Sequence, residues 1–339
     1  MKFCAVQDRP LTTDRGQYRF YRKENERFFK YFRRFPLIPE SPDPKFVEKW
    51  DMGSFNLHKL SYYVEPKLRI FAYLLIPNTE NRAKFPGILA LHQHNDEYKA
   101  GKSETVGLVR NPTYTELEAV PPNLGHNTPK SRKQFAYARE LCERGFIVMA
   151  PDFIGFEEYR DKDECYDDPR FIRGYEEMLS AKYILYGSSL MAKHLHDLYV
   201  AISVLTAMGR VDSGRIGVIG HSLGGEMAAI LTVLDSRIRA GVSSCGTFSF
   251  EEFETSGRIE TAEIIIPSFR RDGKDFDFFL DMIPPTPFLA THGTQDPLMS
   301  SRFYGKERKN FEYLAFEGTH GFPEEVREKA YIFLARSLS

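Results

Sequence analysis

The sequence predicts an α/β protein built on a doubly wound, mostly parallel sheet, and three observations carry that prediction. Residues 87–91 and 146–150 are short, wholly apolar runs, the pattern of strands buried on both faces. Amphipathic helical patterns separate such runs along the chain, as in βαβ units. Ile216-Gly217-Val218-Ile219 runs directly into Gly220-His221-Ser222-Leu223-Gly224, and Glu226 to Leu231 continues as a helix former. A strand, a sharp turn and a helix with a serine at the apex form a nucleophile elbow. The glycines suit it, because a strained turn needs neighbours without Cβ atoms.

In chain order, residues 18–35 are basic and aromatic, with Tyr21, Phe28, Phe32 and Phe35 near helical spacing. They predict a leading helix docked on the main domain, making residues 1–54 a helical extension. A proline-rich stretch at 36–44 ends it. Residues 56–64 and 68–76 read as an antiparallel hairpin across Glu65-Pro66-Lys67. Helices are expected at 131–144, stopped by Gly145 as C-cap, at about 187–208, and at 324–338. Further strands are expected at 240–244, 288–291 and 311–316. Residues 55–339 thus form the main domain, with cap-like insertions near 95–130, 155–186 and 250–287.

Composition narrows the function classes. The chain has 339 residues, 42% hydrophobic and 27% charged, which is ordinary for a globular domain with a large core. A formal net charge of −1 gives no reason to expect nucleic acid or an anionic membrane as partner. No apolar run approaches the ~18 residues of a membrane span. The N-terminus becomes charged too early for a secretory leader. Cys4, Cys142, Cys165 and Cys245 are scattered without a C-x-x-C pair, so free thiols and a cytoplasmic setting are expected. A homo-oligomer is compatible with all of this.

A serine alcohol needs a base, and the base needs an orienting acid. Ser222 is the candidate nucleophile. Behind such an elbow the partners follow in the order acid, then histidine. One histidine lies beyond the last strand: His320, in Gly318-Thr319-His320-Gly321, which makes it the candidate base. The acid belongs after the penultimate strand, where His292-Gly293-Thr294-Gln295-Asp296-Pro297 offers Asp296; Asp272, Asp275, Asp277 and Asp281 are in reserve. An oxyanion hole needs two donors. One is the backbone N–H of Leu223; the other comes from the loop after Leu91, from Gln93 or His94. Phe153, Phe156, Phe269 and Phe276, in the aromatic insertions, are candidate substrate-lining residues.

His92/His94 and His194/His196 raise the question of a metal. Residues two apart on a helix diverge by roughly 200°, so His194 and His196 cannot share a face, and with Asp197 they read as a solvated helix surface. Neither G-x-G-x-x-G nor a P-loop is present. No metal or organic cofactor is expected.

These motifs, 91–95, 144–152 with Gly155-Phe156, 220–225, 292–297 and 318–321, resemble the α/β-hydrolase superfamily. Within it they are similar to dienelactone-hydrolase-like and acetyl-xylan-esterase-like enzymes. The resemblance spans roughly residues 85–335. It implies an α/β-hydrolase fold and a serine hydrolase that cleaves small acyl or acetyl esters, with a small-molecule ester as partner. Gln93 stands where a glycine commonly follows the histidine. Ser222 replaces the cysteine usual in dienelactone hydrolases, which points to the esterase-like branch. A peptidase on the same triad, or a binding protein on the same fold, are the alternatives; the leading ~85 residues are short for a peptidase's screening domain.

Overall fold

The computed structural model describes residues 11–14, 16–22, 26–32, 34–79, 83–94, 100–108, 136–159, 169–256 and 262–339. β1 (Leu11–Thr12) and β2 (Phe35–Pro36) make a small antiparallel ribbon, with the one-turn helix α1 (Glu26–Phe29) between them. Among the described residues the main sheet has nine strands. They are β3 (Lys45–Asp51), β4 (Phe55–Glu65), β5 (Leu68–Pro77), β6 (Phe85–Leu91), β7 (Ile147–Pro151), β8 (Val211–His221), β9 (Ile238–Ser244), β10 (Phe288–Gly293) and β11 (Phe311–Phe316). Their spatial order is β11-β10-β9-β8-β6-β7-β5-β4-β3. From β7 to β11 every neighbouring pair is parallel, and β5, β4 and β3 add antiparallel strands at one edge. This is the α/β-hydrolase fold.

Apolar strands fill both faces of this sheet. Leu89 and Leu91 of β6 join one core, and Ile88 and Ala90 join the other. Ile147 and Met149 of β7 likewise oppose Val148 and Ala150. The first core packs against α5 (Leu190–Ala207) and α6 (Leu223–Leu234); the second lies under α3 (Tyr137–Glu143) and α9 (Glu324–Ser337). Gly145, at φ +89°, closes α3 as the expected left-handed cap, and its N–H bonds to the Cys142 carbonyl. Ser189 caps α5, its hydroxyl accepting from the Ala192 N–H at 3.1 Å.

Two expectations need correction. Residues 18–35 do not form a docked helix: among the described residues only Glu26–Phe29 is helical. The aromatic residues are still drawn inward, since Tyr18, Tyr21, Phe28, Phe29, Phe32 and Phe35 all join the first core. Their burial is met by tertiary packing on α5, with the Tyr18 hydroxyl 2.6 Å from His196 Nδ1, rather than by one continuous apolar stripe. The boundary at residue 54 also fails, because β3 belongs to the sheet. Its seven residues are all exposed, so no buried alternation marked it as a strand.

The insertions carry more structure than long loops. Residues 155–186 include α4 (Pro169–Leu185), and 250–287 include α7 (Phe250–Ser256) and α8 (Asp277–Leu280). Of 95–130, the segment holding the short α2 (Lys102–Thr105) is described, while 95–99 and 109–130 lie outside the described residues. No helix among the described residues is long and apolar enough to cross a membrane. Cys142 and Cys245 are free and buried; Cys4 and Cys165 lie outside the described residues.

Candidate active site

The elbow forms where β8 ends. Ser222 sits at φ +55° and ψ −122°, a conformation rarely populated by residues with a side chain, and its N–H bonds to the Ser244 carbonyl on β9 at 2.9 Å. The flanking glycines are required by contact. A Cβ on Gly220 would lie 2.1 Å from the Gly224 carbonyl oxygen, and one on Gly224 would lie 2.1 Å from the Leu91 carbonyl oxygen. Backbone cannot yield as a side-chain tip can. Gly224→Ala is therefore expected to lower stability by about 3 kcal/mol or more, since it forces apart the elbow and the end of β6. Urea unfolding of the purified variant measures it; a loss below 1 kcal/mol would show that the close approach is dispensable.

Two loops at the ends of β10 and β11 interlock beside the elbow. The Thr294 N–H bonds to the Phe316 carbonyl, and the Gln295 N–H to that of Gly318. Gly293 lies so close to this second loop that a Cβ would come within 2.2 Å of the Thr319 carbonyl oxygen. The interlock brings Asp296 Oδ2 to 2.8 Å from His320 Nδ1. Asp296 Oδ1 accepts the N–H groups of Leu298 and Met299 at 2.9 and 3.2 Å. Burial alone would raise the Asp296 carboxyl, but the His320 hydrogen bond and charge, with those two N–H groups, hold it below its ordinary range. The His320 ring in turn lies 4.9 Å from the ring of His221, the residue before Ser222.

The depressed carboxyl has a consequence for stability. A group whose folded pKa is lowered stabilises the fold above its unfolded value, about 3.9, and loses that contribution as pH falls through the folded value. Asp296→Asn should remove this acid-side contribution, so wild type and variant converge in stability at strongly acid pH. Unfolding midpoints between neutral pH and pH 2 test it; a gap that stays constant would exclude it.

The reserve acids are engaged elsewhere. Asp272 pairs with Lys30 at 2.6 Å, and Asp281 with Lys306 and Arg308. Asp275 binds the Ser249 hydroxyl and the Phe250 N–H at the start of α7, and Asp277 opens α8.

Leu223 opens α6, where the first N–H groups have no helical partner. The opposite wall is the loop after β6. The buried His92 is held neutral, burial lowering its pKa to about 3. Its Nε2 accepts the Phe153 N–H at 3.0 Å, so its proton is on Nδ1, which donates to the Gln93 carbonyl oxygen at 2.8 Å. That bond fixes the plane of the Gln93–His94 peptide. His94 is tied by its ring, with Nε2 2.7 Å from Glu176 Oε2.

Phe153 and Phe156 stand behind this loop, their ring centroids each 4.8 Å from that of His92, so they support it. Phe269 and Phe276 do not line a cleft. They are 1% and 0% exposed inside an aromatic core with Phe248, Phe250 and Phe279, because apolar rings in a charged sequence segment gain most by packing on one another. The reading of His194, His196 and Asp197 as a solvated surface is overturned as well. All three are buried, with Lys193 bonded to Glu65 and Asp197 at 2.5 and 2.6 Å and His196 Nε2 bonded to the Val64 carbonyl. The polar stripe of α5 meets an equally polar partner, which its own spacing does not reveal.

Other groups at the site carried no sequence signal. Cys245, at φ +43°, holds its thiol 3.4 Å from the Gly321 carbonyl oxygen, and burial with the nearby Asp296 charge pushes the thiol pKa up. Lys102 is wholly buried, its ammonium shared by Asp152, Glu157 and Glu158. Glu226, in the first turn of α6, is buried too.

Comparison with known proteins agrees with this architecture. A model of the dienelactone hydrolase family matches residues 125–269. The chain is 25% identical over 251 residues to YtaP of Bacillus subtilis, which bears a provisional hydrolase name; the match covers 74% of this chain and 69% of that protein. It is similar in structure to acetyl xylan esterase 1 of Thermoanaerobacterium, with TM-score 0.59 and 16% identity, covering 100% of this chain and 99% of that one. A glucuronoyl esterase from Solibacter usitatus superposes with TM-score 0.61 and 14% identity over 90% of this chain and 88% of its own.

Proposed function

We propose that the chain, which has the α/β-hydrolase fold and is similar to dienelactone hydrolases and acetyl xylan esterases, hydrolyses small carboxylic esters through an acyl-enzyme. The observation that carries this reading is the His320–Asp296 pair at 2.8 Å, set beside a serine held at a strained strand-to-helix turn.

In this reading Ser222 Oγ attacks the ester carbonyl while His320 Nε2 takes its proton. Asp296 holds the Nδ1–H tautomer and stabilises the imidazolium. The tetrahedral oxygen is met by the N–H of Leu223 and a second N–H from the Gln93–His94 stretch, whose orientation His92 sets. Collapse breaks the bond to the alkoxy oxygen, and His320 returns the proton to the leaving alcohol. Water, deprotonated by the same imidazole, then releases the acid and restores the serine.

The acyl group is small and the alcohol a sugar or other polar alcohol, by analogy with the acetyl xylan esterases that the chain is similar to. The test is labelling with a fluorophosphonate probe, mapped by mass spectrometry, alongside turnover of p-nitrophenyl acetate and butyrate. An adduct on Ser222 with turnover is expected. Folded protein with neither adduct nor turnover would overturn the reading in favour of a binding protein on this fold.

A further inference from the structure

Three segments far apart in sequence converge on one cluster of side chains. They are the loop bearing His94, helix α4 bearing Glu176, and the turn Ala262–Ile264 bearing Glu263. One donor atom from each of these three side chains lies within 4.8 Å of the others. Glu176 spans the group, with Oε2 at 2.7 Å from His94 Nε2 and Oε1 accepting the Glu263 N–H at 2.9 Å. Glu263 is only 2% exposed, and its Oε1 has no hydrogen-bond partner among the described residues. Buried polar atoms are normally paired, so an orphaned carboxylate oxygen facing a second carboxylate requires an explanation.

A comparison within the molecule supplies one. Asp152, Glu157 and Glu158 crowd together in the same way, and there the ammonium of Lys102 sits among them. At Glu176 and Glu263 the third member is instead an imidazole, a metal donor. One imidazole nitrogen with two carboxylates is a donor set for first-row divalent cations, and it suits Zn²⁺ or Mn²⁺ better than Ca²⁺.

We propose that His94, Glu176 and Glu263 bind a divalent transition-metal cation, which clamps the two cap segments to the loop after β6. The imidazole binds through Nε2 once it gives up the hydrogen facing Glu176. Glu176 keeps its bond to the Glu263 N–H through its other oxygen, which orients it. The role is to brace, because the three ligands come from three separate segments and both carboxylates are buried.

The experiment is calorimetric titration of the chelator-stripped full chain with ZnCl₂ and, separately, MnCl₂. It reads binding alone, so its outcome is separate from that of the ester assay. One equivalent per chain is expected for at least one of the two ions, weakened at least tenfold in Glu263→Gln and in Glu176→Gln and unchanged in Asp296→Asn. Absence of binding in wild type overturns the proposal. So does unchanged affinity in a folded Glu263→Gln, or loss only in Asp296→Asn, which would put the ion on Cys245, Asp296 and His320. Should the glutamine variants fail to fold, anomalous scattering from metal-soaked wild-type crystals decides it. A peak about 2.0–2.2 Å from His94 Nε2 and from both carboxylates is expected; a peak elsewhere, or none, rejects the site.

Discussion

Ser222→Ala is expected to lower kcat on p-nitrophenyl acetate by about 10⁶-fold and to abolish fluorophosphonate labelling, with the thermal midpoint moving by no more than a few degrees. The size follows from the arrangement. In the proposed mechanism the imidazole and the carboxylate that orients it act only on a proton leaving Ser222, so removing the hydroxyl idles the whole set. What remains is binding and the backbone donors at the start of α6. Folding should be little affected, because the side chain makes no cap hydrogen bond to α6 and is partly exposed, while the strained backbone is fixed by its N–H bond to Ser244 and by the glycine contacts. Asp296→Asn should fall short of this by one to two orders of magnitude, since the nucleophile and base remain but the tautomer is wrong. Ester turnover undiminished in Ser222→Ala would remove the serine from the chemistry altogether.

Lys102→Met should lower unfolding free energy by about 3–5 kcal/mol, the range for breaking a buried ion pair from one side. Lys102 is wholly buried; its ammonium lies 2.6 Å from Glu157 and also contacts Asp152 and Glu158. The same carboxylates hold backbone: Asp152 accepts the Lys102 N–H, and Glu157 accepts those of Gly101 and Ser103. Burial works against the charged ammonium, but the three carboxylates outweigh it and raise the Lys102 pKa above its ordinary value. Its stabilisation is thus complete below about pH 10.4 and is lost as pH rises through the folded value. Methionine keeps the volume and leaves the carboxylates facing one another. Burial and Glu157 already raise the Asp152 carboxyl with Lys102 present. Without it, uptake of protons should relieve the repulsion, so the deficit shrinks from pH 8 to pH 5. Urea unfolding at the two pH values measures it; a deficit below 1 kcal/mol, or one that grows on acidification, would exclude this account. Because Gly101 to Ser103 follow the loop after β6, kcat should fall as well.

Much of the candidate site was legible because each piece has a local signature. The elbow must be Gly-x-Ser-x-Gly, since Gly220 and Gly224 touch backbone where a Cβ would lie 2.1 Å away. The candidates Asp296 and His320 were picked out by their positions after the last two strands, and the structure pairs them where the two loops interlock. Strands β6 and β7 were read from unbroken apolar runs, which burial on both faces imposes.

Tertiary structure decided the rest. Strand β3 lies exposed at the sheet edge, where no pattern of burial is imposed on its residues. His194, His196 and Asp197 read as solvent-facing because charge on a helix usually is, yet Phe153, Tyr18, Val64 and Tyr159 arrive from elsewhere in the chain to cover them. Phe269 and Phe276 read as a cleft lining and pack as core. The convergence of His94, Glu176 and Glu263 spans 169 residues and has no sequence period. A local signature records what the backbone requires of one position, whereas the pairing of a buried charge depends on which distant segment folds against it.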